Sequence, residues 1–289
     1  MIVTFLDIVI AGLLLGGLYA LIAMGLSLQY GVARVLNISH GEFIMLGALT
    51  TWTLYRVFHM NPLVSLAICG PLIFVIGFAL HRTLFKRLLT TSESADIFVS
   101  NSMLASFGLM FIIQNLALTT WGPEIRGYTY LAVPVDLAGA VFSANRLVTL
   151  GFATAIGLAF YLFLARTRLG KAIRAAAQDP TTAGLMGVNI NFMLALCFGL
   201  GAAMAGIAGV LISMCYPVHA VMGLEYTLIA IIVVVLGGLG SIPGSFIGGF
   251  VLGLIGSIVT YFEPGLALAA YYAIFILLML VRPTGIMGR

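Results

Sequence analysis

The chain has 289 residues, of which 62% are hydrophobic and 8% charged, with a formal net charge of +4 and a mean hydropathy of +1.18. Soluble domains carry roughly a quarter of their residues as charges, so this composition excludes a soluble globular protein and leaves no basic face for nucleic acid. Apolar runs of about 18 residues or more recur from end to end and do not alternate, which indicates an all-α polytopic membrane protein and not a β-barrel.

The first apolar segment, 8–29, is preceded by no Lys or Arg and is too long for a cleavable signal, so it reads as an uncleaved span. Gly12, Gly16 and Ala20 recur four apart on it, a small-residue stripe suited to close helix packing. Gly201, Ala205 and Gly209, and Gly249, Gly253 and Ser257, repeat the pattern.

Residues 35–48, VLNISHGEFIMLGA, place Asn37, Ser39, His40 and Glu42 within six residues at the start of the next apolar segment. Ser39 and Glu42 fit the capping box S-x-x-E, in which each side chain satisfies the other's backbone amide. That box leaves Asn37 and His40 without a role. The segment, 41–58, is short for a span and reads as broken or re-entrant.

Further spans are expected at 62–81, 97–120, 147–164, 191–214, 246–262 and 266–281, with a second short segment at 227–239. The total is eight or nine spanning or re-entrant helices in one transmembrane domain, 1–289. With the N-terminus outside and the C-terminus inside, Arg34, Arg82, Lys86, Arg87, Arg166, Arg168, Lys171, Arg174, Arg282 and Arg289 face inward, against Arg56, Arg126 and Arg146 outward. The excess of basic residues favours this orientation. The longest outer loop, 121–146, carries Trp121, Tyr128 and Tyr130, residues suited to a membrane interface.

The largest inner loop, 165–190, reads as a helix–turn–helix. Arg168, Lys171 and Arg174 lie three apart on one side, with Leu169, Ile173 and Ala177 on an adjacent apolar stripe. Asp179 is the expected N-cap of the second helix, Pro180 its first residue, and Gly187 its stop. The ordered pair suits a docking surface for a soluble partner, while its charges alone would serve as topology anchors.

A glycine-rich break, 236–245, holds Gly237, Gly238, Gly240 and Gly244. GSFI at 244–247 echoes GEFI at 41–44, which raises the expectation of paired interrupted segments beside a solute route. Cys69, Cys197 and Cys215 lie in apolar sequence without metal-ligand or disulfide spacing. Gly170-Lys171 is followed by Ala172, so there is no phosphate loop, and no hydrolase or metalloprotease motif is present. Intramembrane acids are few, namely Glu42, Glu225 and Glu263, which weighs against an ion-driven carrier.

These motifs together resemble the permease subunit of ABC importers for branched-chain amino acids, a family with urea and short-amide relatives. Asn37, His40, Gly41 and Glu42 occupy the positions of its Asn-x-x-His-Gly-Glu signature. TRLGKAIRAAAQDPTTAGLMGVNI matches its coupling loop at Gly170, Arg174, Ala175, Ala177, Asp179, Ala183, Gly187 and Asn189. VVLGGLGSIPGSFIGG and RPTGIMGR match two further signatures. The chain departs at Ile38 and Ser39, where the family often has Phe-Ala, and at Ile229, where many members carry Lys beside the position of Glu225.

The resemblance implies a non-enzymatic bacterial inner-membrane subunit that binds no cofactor. Its expected partners are a second permease (a homologous chain or a copy of itself), two cytoplasmic ATPases that use ATP and Mg, and a periplasmic solute-binding protein, all within membrane lipid. Asn37, His40, Glu42, Glu225, Gly237, Gly238 and Gly240 are then expected to line or brace the pathway. Arg168, Gly170, Lys171, Arg174, Ala177, Asp179, Ala183 and Gly187 would couple to the ATPases. A self-sufficient channel or facilitator for a small polar solute is the alternative.

Overall fold

The computed structural model describes residues 2–137, 140–282 and 284–287. Every expected apolar segment is helical: α1 Ile2–Ala33, α2 His40–Phe58, α3 Pro62–Leu80, α4 Lys86–Thr91, α5 Ala95–Trp121, α6 Ala144–Arg166, α9 Ile190–Ser213, α10 Gly223–Gly237, α11 Ile242–Phe262 and α12 Ala267–Val281. Between α6 and α9 lie two short helices, α7 Arg168–Gln178 and α8 Pro180–Leu185. Among the described residues, seven helical stretches are long and apolar enough to cross a membrane.

Helices α1 and α9 form the centre of the bundle, α9 being the more enclosed. Lipid tails are as apolar as leucine, so helix association there depends on close packing and hydrogen bonds. The small-residue stripe of α1 meets that requirement against α11. A Cβ on Gly16 would lie 2.7 Å from the Phe250 Cα, and one on Gly253 would lie 2.3 Å from the Gly16 nitrogen. Nothing larger than glycine fits at that crossing. The Ser257 hydroxyl adds a 2.7 Å hydrogen bond to the Ile8 carbonyl.

Two features depart from the expected elements. The third span does not stop at residue 81: a π-helical turn at His81–Phe85 carries it into α4, giving a continuous stretch Pro62–Thr91. The loop after α5 also contains a short antiparallel hairpin, β1 Pro134–Leu137 with β2 Ala140–Ser143. The all-α reading therefore needs this small correction. The loop is held down elsewhere as well. Arg126 and Val218 exchange backbone hydrogen bonds of 2.7 and 2.8 Å, and the Arg126 guanidinium lies 4.3 Å from the Trp52 ring centre. Arg289, counted among the inward charges, lies outside the described residues.

Candidate functional site

The chain does not simply turn at the end of α1 and start α2 at the same level. The His40 Nε2 sits 3.1 Å from the carbonyl of Ile22, eleven residues back from Ala33. At 1.5 Å per residue that is roughly 16 Å inside the end of α1. Helix α10 begins at the same place: a Cβ on Gly41 would lie 1.8 Å from the Gly223 carbonyl oxygen. From this junction the two helices diverge. α2 runs towards Trp121, whose indole donates to Thr53 Oγ1 at 2.8 Å, and α10 runs to the glycine break beside Gly31. Two half-helices thus present their first turns to each other within the bundle.

Backbone polar groups at that depth need partners from the protein. Thr227 Oγ1 accepts from the Gly41 amide at 2.8 Å and reaches the carbonyls of Ile38 (3.0 Å) and Gly223 (3.2 Å). Ser106 Oγ on α5 accepts from the Ile38 amide at 3.0 Å. Asn37 Oδ1 accepts from the Ser39 amide and hydroxyl, and its Nδ2 donates to Gln29 Oε1 at 3.2 Å. Gln29 Nε2 in turn donates to the Phe198 carbonyl.

The Ser39 amide, a donor, fixes the Asn37 orientation and the Phe198 carbonyl, an acceptor, fixes that of Gln29, so Gln29 offers an oxygen to His40 Nδ1, 3.3 Å away. Both ring nitrogens of His40 therefore face acceptors, whereas a neutral imidazole donates from one nitrogen only. Gln29, Ser106 and Thr227 were not singled out in the sequence. The available signal was a polar residue inside an apolar helix.

The capping box is not formed. Ser39 makes no side-chain cap, because its hydroxyl and its amide both go to Asn37. That Asx-type turn takes the donor Glu42 would have used. The Glu42 carboxylate is left fully buried, with no hydrogen-bond partner among the described residues. It abuts Gly223, where an added Cβ would lie 2.3 Å from Oε1. Glu225, in the first turn of α10, is exposed and is not brought into this cluster. The GEFI and GSFI segments do not meet either: Gly41 faces Gly223, whereas Gly244 faces Gly237.

Gly237, Gly238 and Gly240 form a second junction at the other end of α10. Gly238 and Gly240 have φ of 104° and 79°, and a Cβ on Gly240 would lie 3.2 Å from the Gly31 Cα. The C-terminal signature completes the turn. Gly285 packs on Gly238, and the amides of Ile286 and Met287 donate to the carbonyls of Leu236 and Gly237. These bonds satisfy carbonyls that the end of α10 would otherwise leave unpaired.

The loop 165–190 folds as the expected helix pair. Thr167 caps α7 by accepting from the Gly170 amide, and Asp179 caps α8 by accepting from the amides of Thr181 and Thr182. The Asp179 carboxyl is held below the usual range, first by the Thr182 hydroxyl and then by these amides. Ile173 is buried and Ala177 half-buried, while Arg168, Lys171 and Arg174 are exposed. Gly170 lies against the Leu164 backbone, Ala183 is buried, and Gly187 ends the turn at φ 86°. Leu185 and Met186, not singled out in the sequence, protrude from the tip at 85% and 82% exposure.

Residues 8–282 match the family profile described as branched-chain amino acid transport system, permease component. The chain belongs to this permease family. It is 30% identical to the high-affinity branched-chain amino acid transport system permease protein LivH of Salmonella typhimurium, over 99% of this chain and 96% of that one. Its identity to BraD of Pseudomonas aeruginosa, with the same description, is 30% over the same shares. A probable LivH of Methanocaldococcus jannaschii is 27% identical over 94% and 89%. The permease is a multi-pass membrane protein of transport, and its signature motifs occupy the two junctions of α10 and the α7–α8 pair.

Proposed function

We propose that the permease forms the membrane pathway of an ATP-binding-cassette importer for branched-chain amino acids in a bacterial inner membrane, with its N-terminus outside and C-terminus inside. The observation that carries this reading is the meeting of α2 and α10 inside the bundle. Discontinuous helices with facing ends are the usual way a transporter builds a route through lipid. Asn37, His40 and Glu42 brace or line the closed route at one end of α10, and Gly237, Gly238 and Gly240 form a pivot at the other. Glu225 borders the route from the exposed face of α10.

The α7–α8 pair is the coupling surface for a soluble ATPase. Apolar Leu185 and Met186 at its tip, together with exposed Arg168, Lys171 and Arg174 on α7, support this role. A second permease, two ATPases and a solute-binding protein complete the assembly. ATP and Mg belong to the ATPases, and this chain binds no cofactor and catalyses no reaction.

The test is uptake of labelled leucine, isoleucine and valine by vesicles holding the permease with and without its ATPases. Uptake that requires ATP and the binding protein is expected. Equal flux without the ATPases would establish a facilitator instead.

A further inference from the structure

Two cavities run end to end along the flank of α1, α6 and α11. The first, about 240 Å³, is lined by Ser27, Val32, Ile173, Arg174 and Gly240 and sits against α7. The second, about 200 Å³, is lined only by Gly157, Leu158, Tyr161, Pro243, Phe246 and Ile247. Tyr161 and Pro243 belong to both, so the two form one groove. One end carries a guanidinium and the other is wholly apolar.

The groove opens sideways, with Leu158, Tyr161 and Ile247 at 51%, 41% and 40% exposure. From Ala165, beside Arg174, to Gly157 on α6 is roughly 12 Å at 1.5 Å per residue. Arg174 spends one donor on the Ala165 carbonyl at 3.2 Å, and its other guanidinium N–H groups have no hydrogen-bond partner among the described residues. The Ser27 hydroxyl in the same cavity is fully buried and has no partner among the described residues.

We propose that this groove is a site for one anionic phospholipid, with its phosphate on Arg174 and an acyl chain laid along Leu158, Phe246 and Ile247. The charge and the apolar track sit at the separation that an amphipathic lipid presents, and basic pockets between membrane helices recognise anionic headgroups. The lipid would wedge between α7 and the Gly240 junction, where it would set how α7 seats on the bundle. The inference does not rest on the importer reading.

The test uses the full chain purified in detergent and titrated with phosphatidylglycerol or phosphatidylcholine of identical acyl chains, with bound lipid read by native mass spectrometry. Phosphatidylglycerol is expected to bind about fivefold tighter, the scale of one basic residue at an anionic lipid. Arg174→Gln should equalise the two lipids. Lys171→Gln, on the same helix but outside the groove, should leave the preference in place. Leu158→Trp, on the exposed face, should lower retention of both lipids with Arg174 intact. Equal binding of the two lipids to the native chain, a Lys171→Gln loss as large as that of Arg174→Gln, or unchanged retention in Leu158→Trp would each overturn the proposal.

Discussion

Gly41 and Gly223 stand in backbone contact: a methyl group on Gly41 would lie 1.8 Å from the Gly223 carbonyl oxygen, although the residues are far apart in sequence. The nearest neighbour of that methyl is the Gly223 backbone, which cannot give way, and the Thr227 hydroxyl follows at 2.5 Å. Overpacking of this kind costs about 1–3 kcal/mol. Gly41→Ala is expected to insert and assemble but to lose at least tenfold in uptake rate, since about 1.4 kcal/mol on one conformation suffices. Uptake per correctly inserted molecule checks this, and a native rate would show that the junction does not gate.

Glu42 separates a cap from a pathway group. A lost cap costs about 1 kcal/mol, and glutamine would keep it. A buried unpartnered carboxylate behaves otherwise, because neutralising it removes a desolvation penalty. Glu42→Gln is therefore expected to raise the thermal unfolding midpoint while lowering uptake. A lowered midpoint with native uptake would restore the capping role.

Gln29 Oε1 holds Asn37 and His40 together. Gln29→Leu removes that oxygen and leaves the buried Asn37 Nδ2 without its acceptor, at about 1–3 kcal/mol. It should match His40→Ala: near-normal expression with a slower uptake of leucine, isoleucine and valine alike. A change in the order of preference among the three would instead place His40 against the solute.

Asp179 makes the α8 cap sensitive to pH. Its carboxyl is held low by hydrogen bonds, so its contribution is complete above the ordinary carboxylate value of roughly 4 and disappears as pH falls through the lowered value. Hydrogen exchange of residues 180–187 should therefore accelerate only on strong acidification. Asp179→Asn, still a cap, should flatten that response, whereas Asp179→Ala should show fast exchange at every pH.

Leu185 and Met186 project from α8 with almost no contact to the bundle. Their replacement by Ser should leave the unfolding midpoint within about 0.5 kcal/mol equivalent, as for surface sites. Solute-stimulated ATP hydrolysis by the assembled importer is expected to fall severalfold. Unchanged stimulation would remove α8 from the coupling surface.

The sequence by itself determined the membrane class, the order of the apolar helices, the helix pair at 165–190 and its Asp179 cap, because hydropathy, length and capping are local properties. It also marked Asn37, His40 and Glu42 as unusual, since polar groups beside a lipid span demand an explanation. Only the tertiary structure decided which groups they meet. Ser39 had two possible partners, and Asn37 took it once Gln29 and Ser106 had placed the 34–39 turn inside the bundle. Where α2 starts in depth depends on α10, almost two hundred residues later, and on two glycines that let those backbones touch. The Gly285–Gly238 contact is of the same kind: a long-range fit between backbones, which no periodicity within either segment encodes.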